Sequence, residues 1–97
     1  MIDKLAAIKD RWINVEQELA NPATMLDMKR FATLNKDYKE LSKIVEQYHI
    51  YSNIVSNIES NKAILAIEKD EEFREMARAE LDELIEQRDL KEEEIRV

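Results

Sequence analysis

Ninety-seven residues are enough for one domain with one modest core. The chain has no Gly, one Pro and no Cys, so it lacks the usual residue for positive-φ turns, a disulfide framework and any thiolate metal site. Its formal net charge is −7, and with abundant Ala, Leu, Glu and Lys it reads as all-α.

The first helix is marked by Leu5, Ile8, Trp12, Val15 and Leu19, spaced by three and four, the signature of one apolar stripe. Asp3 is placed to cap it, and Asn21-Pro22 stops it, because the residue before proline avoids the α conformation. Residues 21–27, NPATMLD, form the first connection, with Met25 and Leu26 expected to plug the end of the bundle.

Asp27 is placed to cap a second helix that nothing interrupts from about 28 to 66. Its stripe runs Phe31, Leu34, Tyr38, Leu41, Val45, Tyr48, Tyr51, Val55, Ile58 and Leu65. Two successive intervals of three around Tyr48 and Tyr51 break the rhythm, so a bend or register change is expected near 48–53. Ser52-Asn53, Ser56-Asn57 and Ser60-Asn61 recur every four residues and read as an exposed polar strip.

A tight polar connection at 67–70 follows, and Asp70-Glu71-Glu72 signals the start of the third helix. That helix offers Phe73, Met76, Ala77, Leu81, Leu84 and Ile85, then Leu90 and Ile95, and its pattern runs to the last residue as if the protein continued. Arg78–Asp82, Arg88–Glu92 and Glu92–Arg96 are expected as i,i+4 pairs. Short connections make neighbours antiparallel. The fold expected is thus a single all-α domain over 1–97, an antiparallel three-helix arrangement around a long central helix, with Trp12 packed in the core against the Phe31–Tyr38 region.

Charge is unevenly spread. Residues 1–20 hold four acids and three bases, residues 21–70 seven of each, and residues 71–97 eleven acids and five bases. The last segment should repel nucleic acid, whereas Lys29, Arg30, Lys36, Lys39 and Lys43 form a locally basic stretch that reads as a solvated helix face. Catalysis finds little to work with. His49 is the only histidine, and Glu92, Glu93 and Glu94 are consecutive on a helix and diverge. The serines at 42, 52, 56 and 60 have no His–Asp partnership, and a phosphate loop needs glycine. No catalytic, cofactor or metal residue is assigned, and the chain is expected not to be an enzyme. Without an apolar run of membrane-spanning length or a signal-peptide core, it is expected in the cytoplasm.

The particular residues say more than their period. KRFATLNKDYKELSKIVEQY, at 29–48, resembles the run R-F-x-x-L-x-K-[DE]-[YH]-x-x-L-x-x-I-V-x-x-[YF] in the N-terminal domain of bacterial class I peptide chain release factors. Arg30, Phe31, Leu34, Lys36, Asp37, Tyr38, Leu41, Ile44, Val45 and Tyr48 carry the match. MIDKLAAIKDRWINVEQELANP before it is similar to the family's opening helix and short loop. EKDEEFREMARAELDELIEQRDLKEEEI after it is similar to the family's D-x-E-[FML]-R-E-M-A-x-x-E-L run and acid-rich helix. The pattern sits closer to type-one members, which read UAA and UAG, than to type-two members, whose connection after the first helix differs and contains Trp.

The resemblance implies a protein that recognises stop codons in the A site of the 70S ribosome and triggers peptidyl-tRNA hydrolysis. In that family a tripeptide codon-reading loop and a Gly-Gly-Gln loop do this work, and neither is in these residues. The domain itself would position the factor near the stalk base of the large subunit. Composition alone leaves a second reading, a free-standing acidic helical adaptor or coiled-coil protein.

Overall fold

A computed structural model describes residues 2–96. It contains four helices, α1 (Ile2–Leu19), α2 (Pro22–Met25), α3 (Met28–Ile67) and α4 (Glu71–Ile95), and no strand among the described residues. The all-α expectation holds. Two compact units divide the chain, one ending at Tyr48 and the other starting at His49.

Without glycine, the chain must turn without positive φ, and no described residue has one. Each break is built from an extended residue whose side chain takes over as helix cap. Asn21 (φ −77°, ψ 123°) accepts the Ala23 N–H, with Pro22 at the first position of α2, where its missing N–H costs nothing. Asp27 accepts the Arg30 N–H at 3.1 Å and so caps α3, as expected. Asp70 (φ −73°, ψ 119°) accepts the Glu72 N–H at 2.9 Å and caps α4. Asp3 is not a cap, since α1 already begins at Ile2.

In the first unit α1 runs antiparallel to the first part of α3. Glu18 pairs with Arg30 at 3.5 Å, while Trp12, farther back on α1, meets Tyr38 and Ser42, farther along α3. The α1 stripe is buried at Leu5 and Val15 and half-buried at Ile8, Trp12 and Leu19. Trp12 is therefore a boundary residue and not a fully buried one. The connection differs from expectation. Met25 and Leu26 do not plug the bundle, for Leu26 is 88% exposed and Met25 is exposed as well. Thr24 is buried in their place, because the short turn 22–25, once capped by Asn21, directs that position inward and the next two outward.

α3 is continuous through 48–53. The boundary between the units nevertheless falls at Tyr48–His49, where the stripe changes rhythm. All ten expected stripe residues of α3 are buried or half-buried. The serine–asparagine strip is exposed at Asn53, Ser56, Asn57 and Ser60, but Asn61 is buried, its Nδ2 donating to the Asn57 carbonyl at 3.0 Å. That bond satisfies the amide where it enters the seam.

In the second unit α4 runs antiparallel to the later part of α3. Arg74, near the start of α4, reaches the end of α3, and Glu92, near its close, reaches Tyr51. Leu84 and Ala77 are buried, and Leu81, Ile85 and Ile95 half-buried, as the period predicts. Phe73, Met76 and Leu90 are not; all three are exposed. The reason lies at the turn. Arg74 occupies the inward position, donating Nη1 hydrogen bonds to the carbonyls of Leu65 and Glu68, which α3 leaves unmatched at its end. Small Ala77 follows on the same face, so Phe73 and Met76 are rotated to the side.

Candidate functional site

The residues weighed for chemistry stay apart. His49 lies exposed on α3, and Ser52 is half-buried while Ser56 and Ser60 are exposed. Ser42 has a structural role, accepting Trp12 Nε1–H at 2.8 Å and donating to the Tyr38 carbonyl at 2.7 Å. The three consecutive glutamates have three different partners: Glu92 accepts from Tyr51, Glu93 pairs with Arg96 and Glu94 with Lys91. The expected pairs of Glu92 with Arg88 and Arg96 are replaced for that reason. Arg88 turns instead to Asp89 at 3.2 Å, and Arg78–Asp82 is not among the ion pairs of the described residues. Among the described residues no three His, Asp or Glu gather in a way that could hold a metal ion, and no helix is long and apolar enough to cross a membrane.

One buried polar contact has measurable electrostatics. Tyr51 is buried on α3 and its hydroxyl donates to Glu92 Oε1 at 2.8 Å. Burial foremost, then the hydrogen bond to Glu92 and that carboxylate's charge, raise the phenol above its ordinary value of 10.0, with Arg88 pulling weakly the other way. A pKa raised on folding stabilises the protonated form. The contribution is complete below pH 10 and disappears as pH rises through the higher folded-state value. Tyr51→Phe should therefore cost about 1 kcal/mol at neutral pH and lessen the loss of stability above pH 10. Melting curves of parent and variant across that range check this, and parallel curves would remove the hydrogen bond from the account.

What the surface does offer is binding area. The basic stretch Lys29, Lys36, Lys39 and Lys43 is exposed along α3, with Arg30 tied to Glu18. α4 is densely acidic on its exposed face. Exposed apolar side chains gather beside both connections, at Met25, Leu26 and Met28 and at Ile64, Ile67, Phe73 and Met76. Periodicity missed the last two because it reports which residues share a face, not which face is covered.

A non-catalytic helical module with binding surfaces is what this geometry defines, and the sequence comparisons agree on its class. Residues 8–97 match the PCRF domain, and the chain belongs to that family. The relatives are peptide chain release factors 1. The protein of that name from Cytophaga hutchinsonii is 56% identical over 89 residues, covering 92% of this chain and 25% of the relative. That from Amoebophilus asiaticus is 50% identical over 84 residues, covering 87% and 24%. That from Parabacteroides distasonis is 42% identical over 97 residues, covering 100% and 26%. The chain thus spans about a quarter of the length of the curated relatives it matches. Comparison with solved structures yields no match.

Proposed function

We propose that the chain is the N-terminal helical domain of a peptide chain release factor and serves translation termination on the bacterial ribosome, in the cytoplasm. The observation that carries this is the match of residues 8–97 to the PCRF domain, together with relatives that all bear the release factor 1 name. The type-one likeness of residues 29–48 supports UAA and UAG as the codons read by the whole factor. Reading and hydrolysis belong to the three quarters of the relatives that this chain does not span. A Gly-Gly-Gln loop cannot lie in residues that include no glycine. The domain's task is positional. Its acidic α4 and exposed apolar side chains suit a protein contact near the stalk base of the large subunit better than a deep RNA contact.

Two measurements test the proposal. The coding sequence beyond Val97 should contain a Gly-Gly-Gln tripeptide, and a stop codon directly after Val97 would overturn the domain assignment. Added alone to a ribosomal termination complex, the 97-residue chain should release no peptide above background. Release by the chain alone would overturn the positional role.

A further inference from the structure

Ile64 and Ile67 end α3, and Phe73 and Met76 begin α4; all four are exposed, Ile67 to 80%, Phe73 to 58% and Met76 to 64%. Ile58, Asn61 and Leu65 mark the inward seam of α3, and Arg74, Ala77, Leu81 and Leu84 that of α4. At about 100° per residue, Ile64 and Ile67 fall to one flank of the α3 seam, and Phe73 and Met76 to the equivalent flank of α4. In an antiparallel pair those flanks open on the same side. The turn of the hairpin therefore presents an apolar face that α3 and α4 leave uncovered.

Its rim is acidic. Residues 68–76 hold five acids, Glu68, Asp70, Glu71, Glu72 and Glu75, against Lys69 and Arg74. The Arg74 guanidinium is committed to two carbonyls and lies 4.0 Å from Glu71. Glu72 and Glu80 stand one helical turn on either side of Met76. Such a rim repels phosphate backbones and anionic lipid, and a second copy of the chain on this face would bring the same acids together. A lysine- and arginine-bordered apolar pocket on another protein meets both requirements.

We infer that the α3–α4 turn docks Phe73 and Met76 into an apolar pocket of a basic protein, which under the reading above is a protein of the large ribosomal subunit. Loss of two central apolar anchors should weaken association about ten-fold or more, and because both are exposed, Phe73→Ser and Met76→Ser leave the fold intact by circular dichroism.

The test uses the whole chain and purified large ribosomal subunits. The parent should cosediment with them, the Phe73→Ser/Met76→Ser double variant should bind about ten-fold more weakly or worse, and Leu26→Ser, at the other turn, should bind as the parent does. A photoreactive benzoylphenylalanine at position 73 should cross-link to a lysine- and arginine-rich ribosomal protein. Cross-linking to ribosomal RNA or to a second copy of the chain overturns the inference, as does undiminished binding of the double variant, and in these cases the ribosomal reading survives. Failure of the parent to cosediment overturns the inference and the ribosomal role together.

Discussion

Ile58→Ala should lower stability by about 2–5 kcal/mol, the range for truncating a buried large aliphatic side chain. Ile58 is 2% exposed and is the larger of the two fully buried side chains, Val15 being the other. It lies on the second part of α3, one turn before buried Asn61, and the alanine variant would leave a cavity among residues held by two long helices with little freedom to close. For a chain of this size each kcal/mol moves the melting temperature by about 4–8 °C, so a drop of at least about 10 °C is expected. A circular dichroism melt measures it directly. A drop of only a degree or two would mean that the second unit is not packed around Ile58. The polar neighbours sharpen the expectation, since Asn61 has its amide satisfied within α3 and does not need Ile58 as a partner.

Trp12→Ala is the second large effect, about 3 kcal/mol, and its components separate. Trp12 stacks on Tyr38 with ring centroids 5.8 Å apart and planes 13° from parallel, an arrangement worth about 0.5–1.5 kcal/mol beyond area burial. Its indole N–H donates to Ser42 Oγ at 2.8 Å, a bond worth about 1 kcal/mol. Burial of the remaining ring surface supplies the rest, reduced because Trp12 is half-buried. Trp12→Phe should keep most of the stacking and lose the hydrogen bond, costing about 1 kcal/mol. Ser42→Ala should cost a similar amount and, in the Trp12→Phe background, add little. Chemical denaturation of the four chains gives this cycle. Full additivity of the two substitutions would show that the indole–hydroxyl bond contributes nothing. Trp12 is the only tryptophan, so its emission in the parent reports on the first unit alone.

Both predictions fall on residues that periodicity had already placed on inward faces. Recurrence at three and four identified every stripe residue of α1 and α3, because a helix of regular pitch must bring such residues to one side whatever it packs against. The helix starts at Asp27 and Asp70 were equally legible, since a short acceptor side chain before an apolar run satisfies N–H groups in its own neighbourhood. The lack of glycine excluded positive-φ turns before any coordinates were known, and the breaks are built from extended caps accordingly. The particular residues of 29–48 also pointed to the family, which no amount of helical geometry would have done.

The turns resisted the same reading. Phe73 and Met76 are apolar and suitably spaced, and nothing within their own helix tells that Arg74 must face inward to reach the carbonyls of Leu65 and Glu68. Met25 and Leu26 likewise depend on how the capped turn after Asn21 is oriented. Glu92 sits 41 residues from Tyr51, and a local i,i+4 rule assigned it to arginines on its own helix instead. Local rules account for groups that find partners within one helical turn, so they located the helices, their starts and their stripes. Which apolar residues remain at the surface is settled by contacts between helices, and those exposed side chains are the part of this domain available to a partner.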